Sequence, residues 1–162
     1  MTNDAIILEL LRRIQVLENE VEILKKQLLS PKPEIEPAKK PRITTTPEMI
    51  KACYLYGEQA YKSPKADIKK FVSNVVKETG MNKDSAAMYI YAVKYMLEGV
   101  AFKRAINLEA NRTYFDTIRD KYGKNGLKKA IKSTREHITY RQGFNHNVDS
   151  IIKLCDEYEQ FL

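Results

Sequence analysis

The chain has 162 residues, 43% of them hydrophobic, which suffices for a packed core and excludes a wholly disordered protein. No apolar run reaches the roughly 18 residues that a membrane span needs, and the opening MTNDAIILELLRR lacks a basic leader stretch, so a cytoplasmic protein is expected. The net charge of +7 is uneven: residues 1–37 hold 5 Lys/Arg against 7 Asp/Glu, whereas residues 38–162 hold 23 against 14. A polyanionic partner fits the second part, with nucleic acid the commonest candidate.

The first predicted element, within residues 1–30, is a heptad helix. Ile7, Leu10, Ile14, Leu17, Val21, Leu24 and Leu28 alternate in spacings of three and four, the pattern of a coiled-coil seam. With Ile7 at position a, β-branched residues occupy a (Ile7, Ile14, Val21) and leucines occupy d (Leu10, Leu17, Leu24), a choice that favours a parallel dimer. Arg13 then faces Glu18 of a second copy, and Glu20 faces Lys25. Leu11, Val16 and Ile23 widen the stripe, which leaves higher oligomers, or packing onto the chain's own globular part, as alternatives. Residues 31–43 form a proline-rich linker. The run SPKPEIEPAKKPR holds four prolines, which fix φ and remove backbone donors, and it ends in the basic Lys39-Lys40-Pro41-Arg42.

Residues 44–162 read as a compact basic domain of about six helices, making the chain all-α. Thr46-Pro47 opens a helix running to Lys62, and Ser63-Pro64 opens another ending at Thr79 with Gly80 beyond it. Asn82, Asn107, Asn125 and Asn147 are predicted to cap the remaining four, with breaks at Gly99, Tyr122-Gly123 and Gly143. Cys53 and Cys155 fall at apolar-periodic positions and read as buried, reduced thiols.

The segment VKETGMNKDSAAMYIYAVKYM is helix-turn-helix-like. Gly80 and Met81 supply the turn, Val72, Val75 and Val76 one inner face, and Ala86, Tyr89, Ile90 and Val93 the other. Asn82 and Lys83 then stand at a helix start as base or phosphate contacts, together with Asp84, Ala87, Met88 and Tyr91 outward. A plain pair of bundle helices joined by glycine fits the same residues. Lys103 and Arg104, beside Phe102 and Ile106, are a second candidate for phosphate, or for bracing two helices. The third candidate is a cationic helix face, Lys128, Lys132 and Arg135, with Lys121 and Lys124 one turn earlier, opposite a core stripe of Leu127, Ala130, Ile131, Thr134 and Ile138. The two histidines, His137 and His146, have no carboxylate or thiol at ligand spacing, and no phosphate loop, nucleophile elbow or paired-histidine zinc motif occurs. No metal, cofactor or enzymatic activity is expected.

From Pro47 onward the chain resembles the helical domain found ahead of HNH nuclease domains in restriction endonucleases, including modification-dependent ones. The likeness lies in Met81-Asn82 with Ser85-Ala86, Tyr95-Met96-Leu97 with Gly99, and Phe102, Arg104, Ile106 and Asn107. It continues through Tyr114, Ile118, Tyr122-Gly123, Leu127, Ala130, His137-Ile138 and Tyr140. The resemblance implies a DNA-associated or assembly module without chemistry of its own. A heptad helix and a linker stand where no nuclease half follows, so cleavage is not implied. The expectation is a non-enzymatic, oligomeric DNA-binding protein; the alternative is a protein-protein assembly or adaptor module whose coiled coil sets copy number.

Overall fold

A computed structural model describes residues 3–29 and 44–162. The proline-rich linker, its basic end Lys39 to Arg42, and the side chain of Leu28 lie outside the described residues. The chain divides into two units, Met1–Arg42 and Ile43–Leu162. All regular structure among the described residues is helical: α1 (Asn3–Leu29), α2 (Pro47–Lys62), α3 (Ile68–Thr79), α4 (Lys83–Glu98), α5 (Leu108–Gln142) and α6 (Asp149–Glu159).

In the first unit α1 runs for 27 residues without interruption. Its heptad side chains Ile7, Leu10, Ile14, Leu17, Val21 and Leu24 are between 48% and 59% exposed. Such a stripe of half-exposed aliphatic residues on one long helix is the surface a second helix covers in a coiled coil. Arg13 and Lys26 pair with Glu9 and Glu22 one turn earlier, at 3.5 and 3.8 Å. These are weak exposed pairs that support the helix locally.

In the second unit α4 is the centre. Its residues Ala86, Tyr89, Ile90, Ala92, Val93, Met96 and Leu97 are buried, and α2, α3 and α5 all pack on it. The approach of α2 is set by Gly57, where a Cβ would lie 2.6 Å from Val93 Cβ and 2.9 Å from the Ile90 carbonyl oxygen. Only a residue without a side chain lets the two helices come that close. Phe115, Ile118, Leu127, Ala130, Ile131 and Ile138 of α5 complete the core with Leu154, Cys155 and Tyr158 of α6. Tyr114, fully buried, donates its hydroxyl to the Ile50 carbonyl at 3.3 Å, tying α5 to the start of α2.

Caps explain most helix boundaries. Thr46 Oγ1 accepts from Met49 N, Asn82 Oδ1 from Asp84 N and Ser85 N, and Asn107 Oδ1 from Ala110 N. Three boundaries differ from the sequence reading. The second globular helix does not start at Ser63-Pro64; Ser63 closes α2, a turn follows, and Asp67 Oδ1 caps α3 by accepting from Lys69 N at 3.0 Å. The break expected at Tyr122-Gly123 is present: α5 is two helical stretches kinked at Gly123 (φ 62, ψ −160), and Asn125 lies inside the second stretch rather than capping it. Positive φ with extended ψ is not a helical conformation, and it is open essentially to glycine. Asn147 is not the cap of α6: Val148 stands at that position without a side-chain cap bond, and Asn147, one residue earlier, accepts from Asp149 N at 3.0 Å.

Candidate nucleic-acid interface

Helices α3 and α4 meet at Gly80, whose φ of 71 lets Gly80 N donate to the Val76 carbonyl at 2.9 Å and close α3. Met81 follows, 3% exposed, with Cys53 Sγ 3.6 Å from its Sδ. Thr79 Oγ1 donates to Val75 O at 2.7 Å and accepts from Met81 N at 3.2 Å. The turn is therefore locked from both sides. It presents Asn82, Lys83 and Asp84 to solvent, while the inward residues of both helices, Val72, Val75, Ala86, Tyr89, Ile90 and Val93, are buried. The Asn82 oxygen is used as a cap, which leaves its amide NH2 for any outside contact.

The segment from Val100 to Asn107 crosses between α4 and α5 and is pinned three times. Ser133 Oγ donates to Val100 O at 2.5 Å, His137 Nδ1 lies 2.5 Å from Phe102 O, and Asn107 N donates to the Tyr89 hydroxyl at 3.3 Å. Phe102 and Ile106 point into the core, so the residues between them face outward, and Lys103 and Arg104 are exposed. Neither forms an ion pair among the described residues. His137 is 1% exposed, and burial holds its pKa below the usual 6.5, against the Phe102 hydrogen bond and with Arg141 nearby. With Nδ1 donating to the carbonyl, Nε2 is a buried acceptor without a partner. Cys53 and Cys155 are free and buried, and burial pushes both thiols up to about 12.

Lys103 and Arg104 border a hollow of about 510 Å³ walled by Ala87, Met88, Tyr91, Tyr95, Val100 and Ala101. A second hollow, about 130 Å³, shares Ala87 and Tyr91 with it and is edged by Lys69, Lys83 and Asp84. A third, about 420 Å³, shares Lys103 and Arg104 and adds Tyr140, Arg141, Phe144 and His146. The three adjoin, and five cations line them: Lys69, Lys83, Lys103, Arg104 and Arg141. None of the five is ion-paired among the described residues, and Asp84 is the one carboxylate on the walls.

The cationic face of α5 has a different environment. Arg135 is taken by α6, pairing with Asp156 and, at 3.1 Å, with Glu159. Lys132 lies 3.7 Å from Glu136, and Lys124 donates to the Leu162 carbonyl at 2.9 Å. Lys121 turns away to the buried Glu58 at 3.2 Å and sits over the Tyr54 ring, which removes it from the expected cluster. Lys128 alone among these cations is exposed and without a polar contact among the described residues. Sequence spacing carries no information on the acids that α6 brings beside Arg135. Conversely, Lys69, Arg141, Tyr140 and Phe144 were not singled out as site residues. Their only signal is a basic residue within a few positions of an aromatic one, a pattern that recurs throughout this chain.

Among the described residues no group of acidic, histidine or cysteine side chains is arranged to hold a metal ion, and no helix is long and apolar enough to cross a membrane. No family model, no curated protein and no solved structure matches the chain.

Proposed function

We propose that this is a non-enzymatic DNA-binding protein that self-associates through α1, with its helical domain contacting DNA along the connected hollows beside α4. One observation carries the reading: five cations without ion pairs among the described residues line adjoining hollows, while those on the competing α5 face are largely engaged by neighbours. Unpaired surface cations attract phosphates and release their counterions on binding. The half-exposed heptad stripe supports a parallel dimer, and joined domains raise each other's effective concentration on one polymer. The likeness to the helical domain of restriction endonucleases points the same way.

A second reading, an assembly or adaptor module, is favoured by the apolar walls of the hollow of about 510 Å³, where Val100 is 50% exposed. Titration of the full chain with labelled DNA, single- and double-stranded, at rising salt separates the two. DNA binding shows a log–log salt slope of about −2 or steeper, as expected when at least two or three phosphates are contacted. Absence of binding to either form at low salt rejects the DNA reading and leaves the adaptor.

A further inference from the structure

We propose that the hollows beside α4 take unpaired bases of single-stranded DNA, stacked on Tyr91 and Phe144, with the intervening phosphates held by Lys83, Lys103 and Arg104. The inference rests on the DNA-binding reading and specifies the form of DNA. Three rings along this surface are well exposed: Tyr91 and Tyr140 at 39% and Phe144 at 62%. Each is also held in place by a neighbouring ring. Tyr91 lies against Tyr95 with centroids 5.9 Å apart and planes at 23°, and Tyr140 meets Phe144 edge-on at 5.1 Å. The rings are positioned without being covered, which is the state of a stacking platform.

Tyr91 lines both the hollow edged by Lys69 and Lys83 and the hollow edged by Lys103 and Arg104. Phe144 lines the third hollow, which also has Lys103 and Arg104 on its walls. Each hollow therefore combines an aromatic ring with cations, as each nucleotide of a strand combines a base with a phosphate. A duplex cannot use this arrangement, because its bases are already stacked on one another and offer no free face. A single strand can lay successive bases on successive rings.

The test uses the full chain and fluorescence anisotropy with two labelled probes at low salt: oligo(dT) and a mixed-sequence DNA duplex of equal length. The expected result is oligo(dT) bound about tenfold more tightly than the duplex. Tyr91→Ala and Phe144→Ala should each weaken oligo(dT) about five- to tenfold, the scale of one base–aromatic stack, and leave the duplex unchanged. Tyr91→Phe, which keeps the ring, should bind as the parent does. Both rings are exposed, so the variants should fold, and their melting curves verify it. The chain holds ten tyrosines and no tryptophan, so quenching of its own emission by unlabelled oligo(dT), reduced in Tyr91→Phe, reads stacking directly. Equal affinity for duplex and oligo(dT), or an unaffected Tyr91→Ala, overturns this inference while DNA binding stands. No binding of any probe removes the DNA-binding reading as well.

Discussion

His137 lies flat on Phe102, ring centroids 4.2 Å apart and planes within 12°, while its Nδ1 approaches the carbonyl oxygen of the same residue at 2.5 Å. One histidine thus fixes both the side chain and the backbone of the segment that carries Lys103 and Arg104. Burial lowers its pKa below 6.5, with Arg141 adding to the effect and the Phe102 hydrogen bond opposing it. The folded form therefore binds a proton less readily than the unfolded chain. Its contribution to stability is complete above pH 6.5 and declines as pH falls below that value towards the folded pKa. Thermal melts should show Tm dropping by a few degrees from pH 7 to about pH 5.5. His137→Gln should lower Tm at neutral pH and flatten that dependence. A wild-type Tm constant over this range would contradict the assignment.

The contact between α2 and α4 allows a direct stability test. A methyl group at Gly57 meets Val93 Cβ at 2.6 Å and backbone at 2.9 Å, and neither is the free end of a flexible chain. Gly57→Ala should destabilise the domain by about 1–3 kcal/mol, despite alanine's better helix propensity. Chemical denaturation that shows equal or greater stability would mean that the helices separate easily here.

Charge removal should have opposite effects at the two basic surfaces. Arg135→Ala breaks pairs to Asp156 and Glu159 that are partly open to solvent, and should cost at most about 1 kcal/mol with DNA affinity unchanged. Lys103→Ala with Arg104→Ala should leave Tm unchanged, since neither is ion-paired among the described residues, and should flatten the salt slope by about 0.7 per lost single-strand phosphate contact. Melting curves and salt titrations of both variants decide between the surfaces. Weaker binding by the Arg135 variant alone would return the site to α5.

The heptad stripe predicts association. Ile14 and Leu17, 50% and 59% exposed in the single chain, fall mid-seam. Changing both to Asp should reduce the sedimentation mass to the 18.8 kDa of one chain while the helical domain keeps its melting transition. An unchanged oligomer would place the joining surface elsewhere.

The all-α class and most helix starts were legible because capping is local: Thr46, Asn82 and Asn107 each satisfy backbone groups two or three residues away. Ser63-Pro64 misled because it has the composition of a cap, yet the chain spends it on a turn and Asp67 does the capping. Gly123 marked a real break: at φ 62 and ψ −160 it separates two helical stretches. Lys83, Lys103 and Arg104 were legible as candidates one at a time. That Lys69, Tyr91, Phe144 and Arg141 lie along the same surface depends on how α3, α4 and the end of α5 pack, which no local spacing encodes.

The three anchors on the segment from Val100 to Asn107 have a kinetic meaning. A loop held by Ser133, His137 and Tyr89 has little backbone freedom left to surrender when a ligand arrives. Capture on such a surface is a single encounter without a folding step, so its rate follows diffusion and ionic strength. Loosening an anchor, as in Ser133→Ala, would add an ordering step after the encounter. A second, slower relaxation would then appear in stopped-flow traces, at unchanged net charge.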